Sequence, residues 1–165
     1  MGDISTDLKQ NEKRVREMIE GCDDILFRPM KLGKNKEISC FLIYIEVAAG
    51  NMMLEDSVIG KMLNHMWEMD ESGIQKAIEE NSLGVSDTKE LVSMDEAMAA
   101  MLAGNVVLFV DYFDKAIKIG SKGYPGTGVM KADSEKVLRG SKEAFSESVK
   151  VNTALIRKRV RDAAL

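Results

Sequence analysis

Histidine, tryptophan, proline and cysteine are all scarce in this chain: 165 residues hold one histidine, one tryptophan, two prolines and two cysteines. Cys22 and Cys40 are too few for a disulfide framework and have no CxxC spacing. A free cysteine usually serves as a small buried apolar residue, and such usage points to a reducing, cytosol-facing location. A lone histidine, His65, removes the base that a Ser or Cys nucleophile requires. No zinc or EF-hand spacing is present, so neither metal nor cofactor is expected. Long apolar runs are also missing. The longest, from Ile38 to Ala49, is broken by Ser39 and Glu46 and falls well short of the roughly 20 residues a membrane span needs. The first 20 residues are polar and charged, without the apolar core of a signal peptide. Taken alone, the chain is expected to be soluble.

Excess positive charge is lacking too. The formal net charge of −4 speaks against a nucleic-acid binder, which would carry a basic surface. Gly120, Gly123, Gly126 and Gly128 cluster around Pro125, but they match neither the dinucleotide fingerprint nor the P-loop, so a flexible connection is expected. Carboxylate pairs at Asp23/Asp24 and Glu79/Glu80 have the character of solvated surface. Nothing here assembles a catalytic constellation, and the expectation is a protein that is not an enzyme.

What remains is an ordinary globular composition, 45% hydrophobic and 30% charged. Asp3, Ser5 and Thr6 offer caps for a first helix whose apolar face holds Leu8, Val15, Met18 and Ile19, with Asn11 on the same face; Gly21 ends it. A short apolar run, Asp23 to Arg28, stops at Pro29 and fits an edge strand or a strand end. After a turn at Gly33–Lys36, the stretch Ile38 to Val47 has the near-continuous apolar pattern of a strand buried on both faces. Ala48–Asn51 closes it. Leu54 to Met69 has the strongest amphipathic helical spacing in the chain, in a region rich in methionine that fits flexible core filling. A short helix at Gly73–Asn81 and a loop at Ser82–Lys89 follow. Ser93 and Glu96 form a capping box for a helix running to Ala103, with Gly104 as its stop. Val106–Asp111 and Ala116–Gly120 make a hairpin around Phe113–Asp114.

The last segment, Asp133 to Leu165, is the most strongly patterned. Ser141 can cap a helix whose stripe is Phe145, Val149, Asn152 and Ile156, with Leu155 and Val160 beside it, which would bury Asn152. A buried amide must find partners, and Asn11 and Asn152 could satisfy each other or a backbone turn. Between Lys150 and Arg161 there are five basic residues and no acidic one. That cluster suits a helix C-terminus, a solvated face, or the cytoplasmic flank of a membrane segment.

The segment Glu135…Leu138-Arg139-Gly140-Ser141-Lys142-Glu143-Ala144-Phe145-Ser146-Glu147, followed by Asn152-Thr153-Ala154-Leu155-Ile156-Arg157-Lys158-Arg159, resembles the N-terminal domain of the GerA-family spore germination proteins of A-subunit type. Asn11, Asp24-x-x-x-Arg28 and the Ile43–Ile45 strand fit the same pattern. The Asn-Thr-Ala-Leu-Ile-Arg version is most similar to the stage V sporulation protein AF branch. Ala144 and Ala163 depart from the family's usual Gly and Pro. The motif residues carried over are therefore Asn11, Asp24, Arg28, Glu135, Arg139, Gly140, Phe145, Glu147, Asn152, Arg157 and Arg159.

The resemblance implies an α/β fold, a mixed β-sheet with flanking helices and an amphipathic C-terminal helix. It implies two small lobes at about 22–88 and 89–132, with 1–21 and 133–165 as terminal helices. A membrane region would follow residue 165, in the spore inner membrane, with this domain on the cytoplasmic, spore-core side. It further implies self-association, other germination membrane proteins as partners, and a part in germinant response and ion release. The alternative is a module that binds a small-molecule germinant in an interlobe cleft.

Overall fold

The computed structural model describes residues 3–49, 65, 66, 68–80, 88–120, 149–160 and 162. Its centre is a five-stranded antiparallel sheet in the order β1-β2-β4-β5-β3. The strands are β1 (Ile25–Leu32), β2 (Ile38–Ile45), β3 (Thr88–Leu91), β4 (Val106–Val110) and β5 (Ala116–Ile119). The helices are α1 (Leu8–Met18), α2 (Glu46–Ala49), α3 (Glu71–Glu79), α4 (Met94–Leu102) and α5 (Val149–Val160). This is the α/β arrangement of sheet, flanking helices and C-terminal helix. The β2–β4 pairing, with Cys40 opposite Val110 and Ile43 opposite Val107, joins the ranges 22–88 and 89–132 through one sheet.

Both sheet faces are covered, which explains why β2 lacks polar alternation. Successive strand side chains point to opposite faces. Cys40, Leu42 and Tyr44 therefore pack with Leu108, Ile117 and the α3 residues Ile74 and Ile78. Phe41, Ile43 and Ile45 pack on the other face with Phe109, Val15 of α1, and Met98 and Met101 of α4. Phe27, Phe41 and Phe109 stack across three neighbouring strands at centroid separations of 4.6 and 4.7 Å. The Arg16 guanidinium lies 4.0 Å from the Phe27 ring centre.

Local chemistry sets most element ends. The cap of α1 is Asp7, not Asp3, Ser5 or Thr6: its carboxylate accepts from the Lys9 N–H at 2.9 Å. Ser93 Oγ accepts from the Glu96 N–H at 3.2 Å, while the Glu96 carboxylate accepts from the Val92 N–H at 3.1 Å. The reciprocal arm thus lands one residue before the cap. Pro29 does not stop β1, which continues to Leu32. β1 is an edge strand, where a residue without an N–H leaves no ladder bond unmade. At the β1–β2 turn Gly33 has φ +95° and Lys36 φ +56°, and the Lys34 N–H reaches the Met69 carbonyl at 2.8 Å.

Three expectations change. Thr88 and Lys89, expected at the end of a loop, belong to the edge strand β3. The residues after Ile45 turn directly into the short helix α2. Of the expected helix from Leu54 to Met69, only His65, Met66, Glu68 and Met69 are described; Met66 is buried and His65 exposed. The remainder of that helix, the 82–87 loop and the glycine-rich stretch 121–128 lie outside the described residues. No described helix is long and apolar enough to cross a membrane.

Candidate functional site

Asp24 sits immediately before β1. Its carbonyl accepts from the Glu46 N–H at 3.0 Å, which fixes it against the far end of β2 and the start of α2. The Ile25 N–H closes a turn onto the Cys22 carbonyl. Helix α5 packs against α2 and buries Ala154, Leu155 and Arg157. The stripe expected on this helix runs through Phe145, which lies outside the described residues, Val149, Asn152 and Ile156, with Leu155 and Val160 beside it. Instead Val149 is 76% exposed, and Asn152 and Ile156 are half-buried. The face turned inward lies farther round the helix, where the three-residue spacing aligns Ala154 with Arg157.

Arg157 is only 2% exposed. Its Nε donates to one Asp24 carboxylate oxygen at 2.6 Å, and its Nη2 donates to the other at 2.6 Å. Nη1 donates to the Asp162 carbonyl. Asp24 hydrogen bonding holds the guanidinium above its ordinary value; burial opposes this, and Cys22 beside it adds to the rise. A fork of two parallel N–H···O bonds is the strongest ordinary ion-pair geometry and is specific to arginine. Replacing such a buried pair by apolar groups can be neutral, whereas removing one partner strands a charge. The pair therefore fixes where α5 sits more than it adds net stability.

The residues singled out in the sequence fare differently. Asp24 and Arg157 come together, so Asp24 is not mere solvated surface, and Arg157 turns into the domain rather than toward a membrane. Asn11 is 1% exposed; its carbonyl accepts from the Ser5 N–H at 2.9 Å and its amide donates to the Ser5 carbonyl at 2.6 Å. Of the open alternatives, Asn11 thus serves a backbone turn and not Asn152. Arg28 is exposed on β1, and Arg159 is exposed on α5. Glu135, Arg139, Gly140, Phe145 and Glu147, with Ser141 and Arg161, lie outside the described residues.

A cleft of about 720 Å³ opens between the first turns of α1 and the β1–β2 hairpin. Leu8, Pro29, Met30 and Phe41 contribute its apolar surface. Its lining comes from terminal helix and first-lobe residues, with Asp111 the one contributor from the 89–132 range. Among the described residues, no group of three or more His, Cys, Asp or Glu side chains could hold a metal ion.

Residues 13–165 match the family model of the Bacillus/Clostridium GerA spore germination protein. The chain belongs to the GerA spore germination family. Uncharacterized membrane protein YfkQ of Bacillus subtilis is 34% identical over 159 residues, covering 96% of this chain and 30% of its own length. Stage V sporulation protein AF of the same organism is 38% identical over 88 residues, 53% of this chain and 18% of its own. The fold is similar to that of the N-terminal domain of the A subunit of the Bacillus megaterium spore germinant receptor GerK3. That likeness has a TM-score of 0.65 at 18% identity, over 98% of this chain and 58% of the other. The chain spans about 30% of the length of the first relative named. GerA membership supports a role in spore germination, and none of these relatives is named for an enzymatic activity.

Proposed function

We propose that this is a non-enzymatic regulatory and assembly domain of a spore inner-membrane germination protein, acting in germinant response and ion release. In this reading the domain lies on the cytoplasmic, spore-core side. It associates with further copies and with other germination membrane proteins, and a membrane region follows residue 165. The observation that supports it is the Asp24–Arg157 pair. Helix α5 is the last described element, and its only 2% exposed arginine is forked onto the residue that starts β1. A helix joined to the sheet in this way passes displacement between the domain and whatever continues from the chain's end. In the same reading Asn11 braces the start of α1.

The test uses the full-length germination protein in spores. Asp24→Asn and Arg157→Gln each leave an unpaired polar group, and each should slow germination and ion release while membrane insertion persists. Normal germination in both variants would remove the support for this reading.

A further inference from the structure

We propose that the cleft beside α1 is a binding site for a small organic anion, a carboxylate or phosphate carried on an apolar body. Four cations, Lys9, Arg28, Lys31 and Lys36, and three carboxylates, Asp7, Glu12 and Asp111, line the cleft. Each of these carboxylates is held by a contact within the fold, Glu12 by a cation and Asp7 and Asp111, which keep their charge, by backbone N–H groups. Asp7 caps α1 through the Lys9 N–H at 2.9 Å. Asp111 accepts from the Leu8 N–H at 3.2 Å. Glu12 is paired with Arg16 at 2.9 Å. Of the four cations on the same walls Lys31 is engaged, whereas among the described residues the side chains of Lys9, Arg28 and Lys36 have neither an ion pair nor a hydrogen bond.

Two of these cations are held in place by their backbone. Arg28 stands on β1 opposite Leu42. Lys36 is set by a tight turn in which its own N–H bonds the Gly33 carbonyl at 3.0 Å and its φ is +56°. Three unpaired cations over an apolar floor, in a cleft of about 720 Å³, fit an anionic head and a hydrophobic body; the volume lies within the range of small-molecule sites. Arg28 supplies a planar fork suited to carboxylate or phosphate, and the lysines supply point charges. Neither Asp24 nor Arg157 lines this cleft, so the assignment stands or falls independently of the anchoring role of α5.

The probes are phenyl phosphate and benzoate, with benzyl alcohol as the neutral counterpart, added to the 165-residue chain and followed by thermal shift and isothermal titration. The anions should raise Tm in a concentration-dependent way, and added salt should weaken them. Arg28→Gln and Lys36→Gln should each weaken binding by about tenfold, the loss of one charge-assisted hydrogen bond. Both side chains are exposed and unpartnered, so these variants should fold, with unchanged circular dichroism as the check. Lys13→Gln, on the exposed side of α1 and outside the cleft, should bind as the parent does. The assignment is overturned if benzyl alcohol is as effective as the anions, or if both variants bind normally. It is equally overturned if phenyl phosphate gives no shift up to about 10 mM, or if the chain binds phosphatidylglycerol vesicles but not the soluble anions.

Discussion

Arg157 and Asp24 stand 133 residues apart in the chain and meet through two hydrogen bonds of 2.6 Å each. One belongs to the C-terminal helix and the other to the entrance of the edge strand. This contact closes the chain on itself and gives α5 a defined seat on the domain.

Removing one partner should cost far more than removing both. Asp24→Ala leaves the guanidinium buried and uncompensated, and should lower unfolding stability by about 3–5 kcal/mol. A double replacement, Asp24→Leu with Arg157→Met, should recover most of that loss, because it leaves no stranded charge. Urea denaturation of the single and double variants measures the difference; additive losses would contradict the pairing.

Asn11 should behave as a brace for the chain before α1. Asn11→Ala deletes both bonds to Ser5 and leaves two backbone groups short of partners, at a cost of about 1–3 kcal/mol. Thermal melts should show a lower Tm, and the Ser5 amide should exchange faster. A variant as stable as the parent would mean that water takes over both bonds.

Burial pushes the Cys40 thiol from 9.0 up to about 12. The folded state therefore holds this proton more tightly than the unfolded state. The corresponding stability is complete below about pH 9 and is lost as pH rises toward about 12. At pH 8 iodoacetamide should leave Cys40 unmodified until denaturant is added, as read by peptide mass spectrometry. Rapid native labelling would place this thiol outside the core.

Tyr112 has φ +70° and is 69% exposed, while its N–H bonds the Thr6 carbonyl at 2.9 Å. The left-handed backbone costs a side-chain-bearing residue about 1–2 kcal/mol. Glycine avoids that cost but loses about 0.5–1 kcal/mol of chain entropy on folding. Tyr112→Gly should thus hold or raise stability by up to about 1.5 kcal/mol, the difference of those two terms. A clear loss in urea denaturation would assign the exposed ring a packing role.

Where local pattern and burial agree, the sequence is legible. β2 announces itself because both its faces are covered, and Ser93–Glu96 marks the start of α4 through a local hydrogen-bond exchange. Asn11 stands out because an amide on an apolar face needs partners. β3 does not announce itself: Thr-Lys-Glu-Leu buries only Leu91, and its Lys89 and Glu90 suit an exposed edge as readily as a loop. The cap of α1 was misplaced because Asp3, Ser5 and Thr6 all carry capping oxygens; Asp7 takes the role where the Leu8 N–H meets Asp111. Arg157 hides among neighbouring basic residues that fit any helix C-terminus. Its partner lies across the whole fold, and only the inward turn of Ala154 and Leu155 brings them together. The cleft is invisible for the same reason, since Lys9, Arg28 and Lys36 come from three elements.

Hydrogen exchange in α5 after Asp24→Asn tests the anchoring role most directly. Loss of the pair should lower protection of the amides from Thr153 to Val160 by about a hundredfold, the equivalent of roughly 3 kcal/mol, while β2 and β4 keep theirs. Unchanged protection in α5, or an equal loss throughout the sheet, would contradict the assignment of Asp24 and Arg157 as the seat of the C-terminal helix.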